Sequence, residues 1–347
     1  MKKIFRALTL CLVLLSLLCA AVPAAFAAGN KEDAFYTIGL DACGGVSSTV
    51  VVTTNLDGKL TTLPESPTMD GYTFNGWYTE PVGGSKVTTS TVARMKQQGE
   101  KIAMITAYDY TMASLVDASG IDLILVGDSA ANIMAGYETT LPMTLDHMIY
   151  HGQCVTRGAK RAMVIVDMPF GTYQGDELLA LHSAVRILKE SGAAAVKLEG
   201  GREIKGSIER ILSAGVPVMG HLGLTPQSVN KFGGYGIRAK EDAEAQRLID
   251  DALMLQEIGC FALVLEKVPA QLAEKVAKML TIPVIGIGAG AGVDGQVLVL
   301  QDMLGMNRGF QPKFLRTYAN LADTIVDALD RYADVKSEAF PTPAESY

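Results

Sequence analysis

The sequence lacks the pieces that several function classes require. Its five cysteines include no CxxC pair: Cys11 and Cys19 fall near the start, and Cys43, Cys154 and Cys260 are far apart. An odd, scattered set excludes a disulfide framework and a thiolate zinc site, and leaves buried or idle thiols. Surplus positive charge is missing too, because 30 Lys and Arg face 37 Asp and Glu for a formal net charge of −7. Without a basic footprint, nucleic acid is excluded as a partner. No stable membrane span is expected either, since the apolar run Leu8 to Ala21 is short and soon broken by Pro23. Phosphate-binding signatures are absent as well. Gly286, Gly288, Gly290 and Gly292 alternate through one segment, but no Gly-Lys-Ser/Thr follows. The segment also lies too late for the early βαβ context of a dinucleotide fingerprint. Close backbone approach to a ligand and a tight βα turn remain open for it.

What is present falls into three regions. Residues 1–28 read as a secretory signal peptide: Lys2, Lys3 and Arg6 precede an apolar stretch, and Ala25-Phe26-Ala27 offers a small-x-small cleavage site. Residues 29–85 read as a small all-β module, with alternating runs such as Ser48 to Thr54 and turns at Asp57-Gly58 and Asp70-Gly71. The stretch from Asp70 to Thr79, continued by Gly83-Gly84-Ser85-Lys86-Val87, resembles the internalin B-repeat of bacterial surface proteins. Trp77, the sole tryptophan, is expected to pack that module's small core.

Residues 86–347 have a different texture. Apolar runs at Ile102–Thr106, Leu123–Val126, Met163–Val166, Ala195–Leu198, Val216–Met219, Ala262–Leu265, Pro283–Ile287 and Val297–Leu300 alternate with helical stretches. The stretches include Gly175–Ser191, Lys240–Gly259 and Ala270–Leu280. The runs lack period-two alternation, as expected of parallel strands buried on both faces. This pattern predicts an α/β fold, a (β/α)8 barrel, with a doubly wound open sheet as the alternative.

The C-terminal ends of the strands form the active face of such a barrel. Here they carry Tyr108-Asp109, Gly127-Asp128-Ser129, Asp167, Lys197 with Glu199, His221 and Glu266. Taken singly, Asp128 reads equally well as a helix cap. Several acids, one lysine and one histidine converging on one mouth instead suit a hard divalent cation such as Mg2+.

The strings KIAMITAYDY (101–110), LVGDS (125–129), TTLPMT (139–144), VDMPF (166–170), VKLEGG (196–201), GHLGLTPQSVNKFGGY (220–235), LVLEKVP (263–269) and IPVIGIGAG (282–290) resemble ketopantoate hydroxymethyltransferases. The likeness continues through DGQVLVLQDMLG (294–305) and PKFLRTYANL (312–321) and covers residues 86–347. It implies a (β/α)8 barrel that transfers a hydroxymethyl group from 5,10-methylenetetrahydrofolate, the co-substrate, to the 2-oxoacid 3-methyl-2-oxobutanoate. By the same resemblance, Asp128 and Asp167 hold Mg2+ with Glu199 in the metal's surroundings. Asp128, Ser129, Asp167 and Lys197 contact the oxoacid, His221 lies near it, and Glu266 is the general base. A homo-oligomer, usually a decamer, and a cytoplasmic location are also implied. A signal peptide translated from Met1 conflicts with that location.

The chemistry requires such residue types independently. A 2-oxoacid chelates Mg2+ through carboxylate and keto oxygens, and a cation there stabilises the enolate formed when C3 loses a proton. Glu266 between Leu265 and Val268 would need an apolar setting to raise its pKa. The chain departs from the resemblance at Ala130-Ala131, where Leu-Gly is usual, and in a C-terminal tail without histidine. Two other readings compete. One is another Mg2+-dependent enolate enzyme of the phosphoenolpyruvate mutase and isocitrate lyase type, whose cysteine-bearing catalytic loop is missing here. The other is an exported surface protein carrying an inactive barrel.

Overall fold

The computed structural model describes residues 37–40, 46, 51–53, 65–68, 86–333, 335 and 340–346. The expected signal peptide, the turns at Asp57-Gly58 and Asp70-Gly71, Trp77 and the Gly83-Gly84 pair lie outside the described residues. The chain divides into two compact units, Met1–Gly76 and Trp77–Tyr347. In the first, β1 (Thr37–Gly39) pairs antiparallel with β2 (Val51–Thr53), and Val46 bridges Thr68.

In the second unit the apolar runs become β3 (Ile102–Thr106), β4 (Leu123–Val126), β5 (Met163–Asp167), β6 (Ala195–Glu199), β7 (Val218–Gly223), β8 (Ala262–Glu266), β9 (Val284–Ile287) and β10 (Gly295–Leu298). Each pairs in parallel with its sequence neighbour, and β10 also pairs with β3, Gly295 opposite Ile102. That last ladder closes the barrel and rules out the open sheet.

Strand pleating sorts the side chains into two cores. Ile102, Met104, Leu123, Leu125, Met163, Ile165, Ala195, Met219, Ala262, Val264, Ile285 and Val297 fill the barrel interior. Ile124, Val164, Val166, Val196, Leu198 and Leu263 point outward under the helices. Both faces are therefore apolar, which explains the runs without alternation.

The helix Thr89–Gln98 stops the N-terminal end of the barrel. Thr88 and Thr91 form a reciprocal capping box, and Gly99 ends the helix in the left-handed conformation (φ 71°). Val87 and Val92 are buried in the interior core, and Lys96 Nζ reaches Asp294 at 2.7 Å. Asp294 also accepts from the Val284 backbone N–H at 2.8 Å, so one carboxylate ties this stopper to β9.

Some boundaries differ from expectation for identifiable reasons. Pro217 has no N–H to give a ladder, so β7 begins at Val218 and runs on through His221 to Gly223. The expected strand Val297–Leu300 begins two residues earlier and turns helical at Leu300. Gly295, its first residue, is needed for close contact: a Cβ there would lie 2.5 Å from the Ile102 carbonyl oxygen. Helix Glu177–Arg186 is shorter than predicted and finishes in a π turn, Ile187–Ser191. Among the described residues no helix is long and apolar enough to cross a membrane. Cys154 and Cys260 are free, the latter buried.

Candidate active site

The register of β5 to β8 brings the expected residues together. Asp167 lies opposite Lys197, and Glu199 opposite His221. Lys197 and Glu199 are two apart on β6 and share the inward face. Lys197 Nζ sits 3.0 Å from Asp167 Oδ1, 3.7 Å from Glu199 Oε1 and 3.2 Å from His221 Nδ1. His221 Nε2 faces Glu266 Oε2 at 3.5 Å. Asp128 follows β4, and its backbone N–H donates to Asp167 Oδ2 at 3.1 Å. Ser129 Oγ meets the Tyr108 hydroxyl at 2.8 Å. All seven anticipated residues line one cavity of about 430 Å³.

Asp128 does not cap the helix that follows, since Ala130–Ile133 has no side-chain cap. Its Oδ2 instead accepts from Gln227 Nε2 at 2.9 Å. Asp109, by contrast, is a cap: its Oδ1 accepts from the Met112 N–H at 2.9 Å. The Gly286–Gly292 segment behaves as a tight turn. Gly288 and Gly290 adopt φ of 62° and 80°, and a Cβ on Gly290 would lie 2.5 Å from that of Ala270.

Gln227 was not singled out from the sequence, yet it joins three strands. Its Nε2 donates to Asp128 and to the Met168 carbonyl, and its backbone N–H donates to Glu199 Oε2 at 3.0 Å. Its Oε1 accepts from the Tyr173 hydroxyl at 2.6 Å and from Gln174 Nε2 at 3.0 Å. Residue 227 lay inside the 220–235 block, but only the folded contacts give it a task. Tyr108 was visible as a strand ending, and its partnership with Ser129 was not.

Charges in this buried cluster reinforce one another. Burial drives the Asp128 carboxyl well above its ordinary range, and the charges of Glu199 and Asp167 push the same way. Burial also lifts Asp167 to about 6, against the pull of Lys197. For Glu199 burial is outweighed by His221 and Lys197, so its carboxyl falls below the ordinary value. Burial works to discharge Lys197, but the surrounding Asp167, Glu199 and Asp128 hold it protonated. Burial, then Lys197, depresses His221, which is therefore neutral. A neutral ring accepting from Lys197 at Nδ1 carries its proton on Nε2, directed at Glu266; this tautomer is assigned from the network. Glu266 has 17% of its side chain exposed, and burial pushes its carboxyl up to about 8.

The donor set suits a hard cation. Asp167 Oδ1 and Glu199 Oε1 are buried, their neighbours among the described residues are Lys197 and, for Glu199, His221, and three carboxylates here face the single Lys197. Oxygen donors without thiolate fit Mg2+. Among the described residues no three His, Cys, Asp or Glu side chains form a complete metal cage. Asp128 and Asp167 could hold a cation whose remaining positions are filled by substrate and water. Glu199, engaged by Gln227 on one oxygen and near Lys197 and His221 on the other, would adjust the charge around it.

Comparison with known proteins extends over this whole unit. A Listeria-Bacteroides repeat domain matches residues 36–98. The 3-methyl-2-oxobutanoate hydroxymethyltransferase of Bacteroides fragilis is 66% identical over 263 residues, 76% of this chain and 96% of that protein. The enzyme of the same name from Porphyromonas gingivalis is 63% identical over 269 residues, 77% of this chain and 98% of that protein. A solved structure of phosphoenolpyruvate phosphomutase from Streptomyces platensis subsp. rosaceus has a TM-score of 0.49 and 14% identity, covering 72% of this chain and 88% of that one. The family described as ketopantoate hydroxymethyltransferase matches residues 86–343, and the chain belongs to that family of transferases.

Proposed function

We propose that residues 86–347 transfer a hydroxymethyl group from 5,10-methylenetetrahydrofolate to 3-methyl-2-oxobutanoate, giving 2-dehydropantoate with Mg2+ as cofactor. The observation that carries this reading is the position of Glu266. It is a carboxyl with a raised pKa, beside a neutral histidine, in one cavity with the Asp128, Asp167 and Lys197 charges. Such a group can take a proton from carbon near neutral pH.

Lys197 supplies the positive charge that attracts the oxoacid, and the Ser129 hydroxyl, held by Tyr108, supplies a hydrogen bond. Mg2+ held by Asp128 and Asp167 would draw off negative charge on the oxoacid's oxygens. Glu266 removes the C3 proton, and the His221 Nε2–H steadies the carboxylate that takes it. Water adds to the folate-borne methylene carbon and both of its C–N bonds break, so tetrahydrofolate leaves and the carbon is freed in the cavity as formaldehyde. The C3 electron pair attacks that carbonyl carbon, the new C–C bond forms, and the formaldehyde oxygen takes up a proton to become the product hydroxyl. Gln227 keeps Asp128 and Glu199 in register throughout.

The test is an assay of the full chain, and of residues 86–347 alone, with both substrates and Mg2+. Product should require the metal and disappear with a chelator. A folded wild-type protein that makes no product with both substrates and Mg2+ would refute the proposal and favour the inactive-passenger reading. We also propose a homo-oligomer, decameric by family resemblance. The helix Leu321–Tyr332 buries none of its residues and exposes Val326, Leu329 and Tyr332, a face a second copy would cover. For location we propose the cytoplasm, and sequencing the native N-terminus decides between that and export by residues 1–28.

A further inference from the structure

We propose that Asp302 recognises the reduced folate by accepting two N–H donors from its 2-amino-4-oxo heterocycle. This rests on the methylenetetrahydrofolate reading above. Asp302 follows β10 in the short helix Leu300–Met303 and lines the same cavity as Lys197 and Glu266, yet the proton transfer gives it no task. It is 5% exposed. Its Oδ1 accepts from Asn307 Nδ2 at 3.2 Å, and among the described residues no hydrogen bond or cation reaches its Oδ2. Burial raises its carboxyl above the ordinary range. A buried carboxylate so placed, with no cation against its Oδ2 among the described residues, is satisfied by N–H donors that a ligand brings.

The two substrates differ in the relevant chemistry. The oxoacid is an anion, which Asp302 repels and Lys197 attracts. The heterocycle is neutral and presents a ring N–H beside an exocyclic NH2, two parallel donors matching the two oxygens of a carboxylate. Phe310 and Phe314 line the same cavity and offer flat apolar surface for a flat ring. The Thr140 hydroxyl also lines it, buried and without a partner among the described residues, a second polar group awaiting a ligand. The two substrates are thus sorted by charge within one cavity.

The test uses the full chain, wild type and Asp302→Asn, titrated calorimetrically with tetrahydrofolate and with an analogue lacking the 2-amino group. Asn keeps an acceptor for Asn307 but replaces one carboxylate oxygen with a donor. Wild type should bind the analogue about 10–100-fold more weakly than tetrahydrofolate, the worth of a hydrogen bond to a charged group. Asp302→Asn should lose a similar factor for tetrahydrofolate and no longer distinguish the two. The KM for methylenetetrahydrofolate should rise with it, and the KM for the oxoacid should not. Exchange of the oxoacid's C3 proton in heavy water, which needs Glu266 and no folate, separates the role of Asp302 from the transferase reaction. Exchange with equal binding of both ligands by wild type overturns the role of Asp302 and leaves the transferase reading standing. No exchange, with the Asp302-dependent discrimination intact, does the reverse. If Asp302→Asn fails to fold, the analogue's binding to wild type still decides.

Discussion

Along β5 the inward residues are Met163, Ile165 and Asp167; along β8 they are Ala262, Val264 and Glu266. The lower members share one core with Val87 and Val92, and Asp167, Val264 and Glu266 above them line the cavity. Backbone, pleat and burial are alike at the two ends, yet the lower layers exclude water with methyl groups and the upper layer gathers buried charge. Apolar burial stabilises the fold by roughly 25 cal/mol per Å2. Buried charge does the opposite unless it is well paired. One set of strands thus carries stability at one depth and reactivity at another.

That contrast can be broken at either end. Beginning the chain at Met95 would remove Val87, Val92 and the Thr88–Thr91 capping box. Two buried valines at about 1.5–3 kcal/mol each make a loss of roughly 3–6 kcal/mol. That is a large fraction of a domain's stability. Urea unfolding of the shortened protein should show it, and an unchanged midpoint would mean that the lower end does not carry stability.

Glu266→Gln attacks the upper end. kcat should fall on the order of 10²–10⁴-fold in steady-state assays, the usual worth of a positioned base. Its effect on stability should have the other sign. A carboxyl lifted to about 8 when folded, from about 4.3 when unfolded, contributes stability that is fully present below the lower value. That contribution is lost as pH rises through about 8. Calorimetry of metal-free protein should therefore show the variant gaining on wild type between about pH 5 and 9, and a loss over that range would contradict the assignment.

Ile165→Ala lies two residues below Asp167 in the same strand. It should cost about 2–5 kcal/mol by denaturant titration while leaving the KM values of the folded protein unchanged. The smallest effect sharpens the picture of the stopper: Thr88→Ala removes a cap and should lower stability by about 1 kcal/mol, with kcat unaltered.

Most of the upper layer was legible in the sequence because of where polarity interrupts the apolar runs. Asp167, Glu199 and Glu266 each end a strand whose earlier residues are buried and apolar, and Lys197 is a charge inside such a run. Closure was not legible, because it depends on the ladder between β10 and β3, and apolar runs at opposite ends of the barrel sequence carry no sign that they pair with each other. Gln227 was hidden for a different reason. A neutral amide in a single 3-10 turn, Pro226–Ser228, leaves no periodic trace, and its partners Asp128, Tyr173 and Glu199 come from three distant parts of the chain. Asp302 lies within DGQVLVLQDMLG (294–305), where nothing marks its burial or its place on the cavity.

The pairing of β10 with β3 also bears on how the molecule is made. Gly295 and Ile102 are neighbours in the ladder, and Lys96 grips Asp294, 198 residues further along the chain. A nascent chain emerging from the ribosome can lay down β3 to β9 in order, each beside the last. It cannot join its ends until the segment around Gly295 has appeared. Contacts this distant along the chain are slow to form, because the long intervening loop must be closed before they reward it. The final strand therefore sets the moment at which an open, curling sheet becomes an enzyme.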